Sequence, residues 1–551
     1  MKIAIEGCAH GQLEIIYDSI KHLEEKENVK IDLLICCGDF QATRNLQDLK
    51  SMAVPPKYQS MCSFYKYYSG EKQAPVLTVF IGGNHEASNH LQELPYGGWA
   101  APNIYYMGYA NVINIAGVRI AGLSGIYKGH DYMKGRFEKP PYSEDTKRSV
   151  YHVRNLDVFR LKQLQQPVDV FLSHDWPRGV HQFGDENGLL KLKPFFREDI
   201  TTNSLGSKPC EELLHFLKPT FWFSAHLHVK FAAVIPHDSD STLGKKQMTK
   251  FLALDKCLPK RKFLQVIEIP HDTSKTIELE YDLEWLAVLH LTNHLLSVKK
   301  SFNYMPGPGG EGRWKFSPTS EELDLVREKF GNNFLIPKNF IPTVKAHLNN
   351  TENNSKNSGQ ASVLLNPQTI TFCTQLGIDD PLALLLNNPN ESFLSSSSVS
   401  SRTLPSSLTP ERSGDFTSFN DSSELSVLGD TSISELSSSF TYTPSGEGNS
   451  TSPLSARKSS LVLPSPRNSI EDSFSKECEE DANESSKFLD GSVSQESDLD
   501  DLNNSCDDGP EASPESKETC DHTEGESSTQ PKMKKFRRRN EAIYSSADED
   551  Y

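Results

Sequence analysis

Ile81-Gly-Gly-Asn-His-Glu86 closes the apolar run Val76-Leu-Thr-Val-Phe-Ile81, and the reading of this junction decides the fold. A short apolar run bounded by turn residues reads as a buried strand. Glycines followed by Asn-His-Glu lift polar side chains clear of the sheet edge. Gly82 and Gly83 are expected to make a tight turn, because glycine tolerates positive φ. Asn84 offers an amide oxygen to a metal. His85 offers a proton near neutral pH. Alone, so short a match is weak. Its weight comes from four other strand ends with complementary ligands, at Cys8/His10, Asp39, His174 and His226/His228.

Outward from that junction the same event repeats: an apolar strand, a small residue, then a ligand-type side chain. Lys2-Ile-Ala-Ile-Glu-Gly7 leads to Cys8-Ala-His10, and Ile31-Asp-Leu-Leu-Ile-Cys-Cys37 leads to Gly38-Asp39. Val168-Asp-Val-Phe-Leu172 leads to Ser173-His174-Asp175, and Pro219-Thr-Phe-Trp-Phe223 leads to Ser224-Ala-His-Leu-His228. Further strands are expected on either side of the turn Ala116-Gly117 and over Phe263–Ile269. Leu13, Ile16, Tyr17, Ile20 and Leu23 recur at three- and four-residue steps, the mark of an amphipathic helix. Strands alternating with helices, then closer-set strands, predict an α/β fold: a β-sandwich flanked by helices, four layers in the order αββα. Ligands in such folds gather at the carboxyl ends of strands.

Each residue also has an ordinary explanation. A lone loop histidine is usually solvated, an aspartate after glycine is a common turn residue, and a cysteine packs as a small apolar group. Five repetitions of one pattern outweigh these separate accounts. The set Cys8, His10, Asp39, Asn84, His174, His226 and His228 suits one or two divalent ions, with Asp39 able to bridge. Imidazole, carboxylate and amide oxygen suit zinc, iron or manganese. Such ions lower the pKa of water and clamp a phosphoryl group. His85 is then free to donate the proton to the leaving oxygen.

Charge divides the chain. Met1 to Asn350 carries 42 Lys and Arg against 39 Asp and Glu, a net of +3; the rest carries 15 against 35, a net of −20. The expected domains are a catalytic domain over 1–235, a small appended or wrapping domain over 236–350, and an acidic, Ser-rich tail over 351–551. That tail is expected to be disordered, being too polar to offset its conformational entropy. Its apolar island Pro381-Leu-Ala-Leu-Leu-Leu386 is read as chance rather than a docking element. Lys532-Met-Lys-Lys-Phe-Arg-Arg-Arg539 reads as a nuclear-import signal, predicting the nucleus. Ser465-Pro466 and Ser513-Pro514 offer sites for phosphorylation. Ten cysteines lack disulfide or zinc spacing, and Met1-Lys-Ile-Ala-Ile enters a strand directly. No apolar run reaches the roughly 18 residues a bilayer span needs. These features predict a reducing intracellular setting and no membrane partner.

The motifs Cys8-Ala-His10, Gly38-Asp39, Gly82-Gly-Asn-His-Glu86, Ser173-His174 and Ala225-His-Leu-His228 resemble the series of the calcineurin-like metallophosphoesterases. Two positions depart from that series, which normally has Asp at Cys8 and Gly at Ala225. Cysteine at the first position is the mark of the RNA lariat debranching enzymes, and the resemblance covers about the first 350 residues. It implies hydrolysis of the 2′–5′ phosphodiester at the branch point of excised intron lariats, giving linear RNA. It implies Cys8, His10, Asp39 and His228 around one metal position, and Asp39, Asn84, His174 and His226 around the other. A thiolate prefers Zn(2+) or Fe(2+) to Mg(2+), with Mn(2+) supporting activity. The insertion 124–154 interleaves aromatics with cations, and the resemblance makes it a lariat-recognition loop. Tyr127, Lys128, Tyr132, Lys134, Arg136, Arg148 and Arg154 are its expected RNA contacts. Partners are branched intron RNA and, through the acidic tail, proteins of the spliceosome or of intron turnover. The competing readings are another phosphoesterase of the same fold, a nuclease or phosphatase, and a scaffold without catalysis.

Overall fold

The computed structural model describes residues 1–237, 247–348 and 359–387. Its strands, in chain order, are β1 (Lys2–Glu6), β2 (Leu33–Cys36), β3 (Leu77–Phe80), β4 (Gly98–Ala101), β5 (Ile104–Tyr106), β6 (Ala110–Ile115), β7 (Val118–Leu123), β8 (Val170–Ser173), β9 (Phe221–Ser224), β10 (Phe231–Pro236), β11 (Met248–Ala253), β12 (Leu264–Glu268) and β13 (Leu279–Tyr281). They form a six-stranded sheet in the order β12-β1-β2-β3-β5-β4 and a seven-stranded sheet in the order β10-β11-β9-β8-β7-β6-β13. In the first, β1, β2, β3 and β5 run parallel; in the second, β7, β8, β9 and β11 do. Every expected ligand follows one of these parallel strands, so the ligands leave both sheets at carboxyl ends.

Alternation along the strands builds the layers, since neighbouring side chains point to opposite faces. Ile3, Ile5, Leu33, Ile35 and Val79 face Ile113, Ile115, Ile120, Val170 and Leu172 in one buried cluster between the sheets. Ala4, Leu34, Cys36 and Phe80 turn the other way and pack under the helix Leu13–Glu27, through Leu13, Ile16, Tyr17 and Ile20. Phe171 and Trp222 face outward from the second sheet against Leu213, Leu214, Trp285 and Val288. This is the expected αββα sandwich.

The region after residue 236 does more than lie beside the sandwich. It supplies β11, β12 and β13 to the two sheets. Arg119 ties it down, bonding Asp282 at 2.7 Å and Glu284 at 2.7 Å. Buried Arg44 does the same, bonding Asp48, Glu93 and the hydroxyl of Thr343.

The tail needs a correction. Residues 359–387, expected to be disordered, include the helices Pro367–Leu376 and Pro381–Leu386. Gln368 accepts from the Trp99 N–H at 2.8 Å and donates to the Trp99 carbonyl at 2.9 Å. Pro381, Leu382 and Leu385 are buried, so the apolar island docks after all. Local composition hid this, because the partners lie far away in the chain. The rest of the tail, with Lys532–Arg539, Ser465-Pro466 and Ser513-Pro514, lies outside the described residues. Among the described residues no helix is long and apolar enough to cross a membrane, and the described cysteines are free thiols.

Candidate metal centre

The turns that carry the ligands are backbone outliers. His10, Asp39, His226 and His228 have φ of 44°, 48°, 63° and 50°, in the left-handed region that bulky residues rarely occupy. Such strain persists only where the surroundings over-determine it, and it clusters at functional sites. The donor atoms of Cys8, His10, Asp39 and His228 lie within 4.8 Å of one another. His10 Nε2 is 3.3 Å from His228 Nε2 and 3.8 Å from Asp39 Oδ2.

A second group sits on the other side of Asp39. His174 Nε2 is 3.2 Å from Asp39 Oδ1 and 3.2 Å from Asn84 Oδ1. The ring is oriented from behind, because Nδ1 lies 2.8 Å from the Cys37 carbonyl and donates to it. The His226 ring is 4.9 Å from that of His174. Its Nε2 is buried without a hydrogen-bond partner and stands 3.6 Å from Asp175 Oδ1, which also has none. Asp39 therefore faces His10 with one oxygen and His174 with the other, the placement a bridging carboxylate needs. All seven expected ligands come together.

The electrostatics suit a cation. Burial, before any neighbouring charge, depresses His10 to about 4, His226 to about 3 and His228 to about 2. These rings are neutral at pH 7, with lone pairs available. Burial also opposes charge on His174, but the Asp39 carboxylate outweighs it and carries His174 up to about 9. Burial would raise Asp39 too; His174 and His85 hold it well below the usual carboxylate range instead. Burial, then the Asp39 and Glu6 carboxylates, push the Cys8 thiol well above its usual value. Orphaned nitrogen, neutral imidazoles and a carboxylate held ionised together fit a divalent cation.

The turns interlock through the motif itself. The N–H groups of Asn84 and His85 both donate to Asp39 Oδ1 at 2.8 Å. Glu86 accepts from the N–H groups of Phe40, Gln41 and Gly83 at 2.7, 2.9 and 3.0 Å, joining the two turns. Burial, with the Asp39 charge, pushes Glu86 up to about 7. The His85 ring is half-buried and stands edge-on to His10, centroids 5.2 Å apart. The expected reason for the paired glycines needs correction: neither Gly82 nor Gly83 has positive φ. Gly83 is needed for close approach, since a Cβ there would fall 2.3 Å from Asp39 Oδ1. Gly38 does use positive φ, at 106°, and its Cβ would strike His174.

The insertion divides into two kinds of residue. Tyr127 and Tyr132 are half-buried, with rings 5.4 Å apart, and Lys128 is half-buried beside them. Arg148 is exposed, donating to the Glu144 carbonyl at 2.7 Å. Lys134 is partly exposed and paired with Asp131 at 2.9 Å. Arg136 and Arg154 are a correction. Both are buried, Arg136 bonded to Asp157 and stacked 3.3 Å over Tyr109, Arg154 bonded to Glu138 at 2.6 Å. Their charges are used inside the protein, not offered to RNA.

Asp175 was missed. Its Oδ2 accepts the Tyr127 N–H at 2.7 Å while Oδ1 faces His226, so it links the root of the insertion to the metal centre. The signal was present in Ser173-His174-Asp175, one residue past a ligand. The part played by Glu86 was missed as well, though it closes the deciding motif.

Comparison with known proteins agrees with this geometry. The calcineurin-like phosphoesterase family matches residues 1–230, and the C-terminal domain of lariat debranching enzymes matches residues 246–381. The chain is 56% identical over 424 residues to a lariat debranching enzyme of Drosophila melanogaster, covering 70% of this chain and 79% of that protein. It is 55% identical over 383 residues to the Homo sapiens lariat debranching enzyme, covering 69% and 70%. With the Arabidopsis thaliana lariat debranching enzyme the identity is 49% over 380 residues, covering 69% and 86%.

Proposed function

This chain belongs to the lariat debranching enzymes of the calcineurin-like phosphoesterase class, and we propose that Cys8, His10, Asp39, Asn84, His174, His226 and His228 are the ligands with which it works. It is a hydrolase that opens the 2′–5′ phosphodiester at the branch point of intron lariats, leaving linear RNA. The observation that carries the ligand assignment is the convergence of four donor atoms, from Cys8, His10, Asp39 and His228, within 4.8 Å.

Divalent cations bound there would polarise a phosphoryl oxygen and lower the pKa of a water. In our reading the first position is held by Cys8, His10, Asp39 and His228, and the second by Asp39, Asn84, His174 and His226. The soft sulfur of Cys8 favours Zn(2+) or Fe(2+) over Mg(2+) at the first, with Mn(2+) able to support turnover. His85, held next to Asn84 but outside both ligand sets, donates its proton to the leaving 2′ oxygen. Tyr127 and Tyr132 stack on splayed bases near the branch, and Lys128, Lys134 and Arg148 follow phosphates. Asp175 keeps the root of that loop in register with His226.

The acidic tail is the proposed contact for spliceosomal or intron-turnover proteins, and its basic block Lys532–Arg539 the proposed signal for the nucleus. The test is turnover of a synthetic branched RNA beside a linear 3′–5′ RNA of the same composition. Cleavage of the branched bond alone is expected. Equal cleavage of both would favour a general nuclease, and a protein that holds no metal and cleaves neither would be a scaffold.

A further inference from the structure

A basic turn outside the insertion is tied directly to a metal ligand. After β11 the segment Asp255-Lys-Cys-Leu-Pro-Lys-Arg-Lys262 carries four cations against one carboxylate. Its two ends meet, the Asp255 N–H donating to the Lys262 carbonyl at 3.1 Å. Both sheets hold it in place. The Leu254 N–H donates to the Ser224 carbonyl, at the end of β9, at 3.1 Å. The Cys8 N–H donates to the Asp255 carbonyl at 3.3 Å, and the Cys257 N–H to the Cys8 carbonyl at 3.0 Å. Lys256 therefore lies beside Cys8, between two backbone bonds to it.

Its charge reaches the first metal position. Burial, above all, keeps His10 and His228 neutral, and the Lys256 ammonium adds to the effect at both. Burial also lowers Lys193; Asp255 opposes this, and the charges of Arg261 and Lys256 add to it. Lys193, Lys256 and Arg261 are thus one cluster. Arg261 is exposed and bonds the buried Asp255 at 3.3 Å. Phe195, 51% exposed, stands edge-on to buried Phe196 with centroids 4.7 Å apart, and the Lys193 ammonium is 5.7 Å from its ring. The insertion's Lys128 acts instead at His226, of the second position, where burial again dominates. Two surfaces that combine cations with aromatics therefore approach different ligands of one centre.

A branch-point nucleotide carries phosphodiesters on its 5′, 3′ and 2′ oxygens, so three arms leave one point. A single cationic surface holds one strand and is equally open to linear RNA. A second surface, at the other metal position, favours a branch. We propose that Lys193, Lys256, Arg261 and Phe195 bind one RNA arm on the Cys8 side of the centre, while the insertion binds another. The cations follow phosphates and the exposed ring stacks on a base, the usual division of labour on single strands. Asp255 offers little repulsion, since Arg261 offsets its charge. The inference rests on the branched-RNA reading above for its occupant.

Fluorescence anisotropy with the metal-loaded full chain tests it. The probes are a labelled three-armed RNA whose 2′ linkage is a non-hydrolysable triazole, and three forms of it, each with a different arm cut back to the branch. Lys256→Gln, and Lys193→Gln combined with Arg261→Gln, are expected to weaken binding of the full branch about 10-fold, the size of a charged hydrogen bond. The plot of log Kd against log salt should become shallower by about 0.7 for each cation removed. Phe195→Ala should weaken binding about 5-fold or more, as loss of a stacked base does. On one trimmed RNA, and only there, variants and wild type should bind alike. Phe195→Ala leaves every charge and the turn beside Cys8 in place, so it decides the matter if the other variants lose metal or fold poorly. Unchanged affinity for the full branch, or an equal loss on all the RNAs, overturns the proposal. Turnover of cleavable branched RNA by the wild type is read separately. If turnover fails while the arm-selective loss holds, the debranching reading falls and this site stands; if turnover proceeds without that loss, only this site falls.

Discussion

The N–H of His226 donates to the Sγ of Cys8 at 3.2 Å, joining residues 218 positions apart in the chain. Cys8 follows a strand of the six-stranded sheet and His226 a strand of the seven-stranded one. The bond fixes the sulfur at the seam of the sandwich, among the imidazoles. It also favours the thiolate, though burial and the Asp39 and Glu6 carboxylates dominate and keep the proton on sulfur at neutral pH.

That proton must leave when a cation binds sulfur, so affinity depends on pH with a definite sign. Below the raised thiol pKa each bound cation releases one proton, and affinity rises with pH, about tenfold per unit from this group alone. The imidazoles of His10 and His228, which share the first position with the sulfur, add nothing to the slope near pH 7, because burial keeps them neutral. In Cys8→Asp the ligand is ionised beforehand, so the slope should flatten and preference should move toward Mn(2+). Competition titrations against a chromophoric chelator at about pH 6.5, 7.5 and 8.5 measure both. An unchanged slope and metal preference would remove sulfur from the ligand set.

His85→Asn should separate chemistry from binding. It deletes the proposed proton donor while keeping the N–H that fixes Asp39. The rate constant for cleavage is expected to fall about 10²–10⁴-fold, the usual contribution of a general acid. Metal content and affinity for branched RNA should hold. Loss of metal in this variant would make His85 a ligand instead.

Asp175→Ala should act at two places. Removing Oδ1 takes away the carboxylate oxygen that stands 3.6 Å from His226 Nε2, and removing Oδ2 frees the Tyr127 N–H. Metal affinity should drop about 10–100-fold, as when groups supporting a ligand are removed. KM for branched RNA should rise as well. A variant that weakens neither would show that Asp175 supports only the local turn.

The insertion's arginines should behave oppositely. Arg154→Ala leaves Glu138 buried and unpaired, and is expected to cost about 3–5 kcal/mol of stability, seen as a lower Tm. Arg148→Ala, on the exposed side, should leave Tm within error and raise KM for RNA. The reverse pattern would restore Arg154 as an RNA contact.

The ligands were legible because their signal is local: an apolar strand, a small residue and a donor, five times over. Even the fold class followed, since the spacing of those strands sets the layers. What was not legible depended on partners remote in the chain. Composition shows that Arg136 and Arg154 are cations near aromatics, but not that Asp157 and Glu138 neutralise them inside the protein. The helix Pro367–Leu376 is anchored by Gln368 to Trp99, 269 positions away, which no window of tail sequence reveals. A glycine after a strand predicts unusual φ at Gly83, whereas it is needed because Asp39 occupies the place of its side chain.

The central claim is that sulfur from Cys8 and donors from both sheets hold one cation. Zinc K-edge X-ray absorption on the zinc-loaded full chain tests it most directly. A sulfur scatterer at about 2.3 Å is predicted, with nitrogen and oxygen at about 2.0–2.2 Å, and it should vanish in Cys8→Asp. A wild-type shell of nitrogen and oxygen alone would contradict the account.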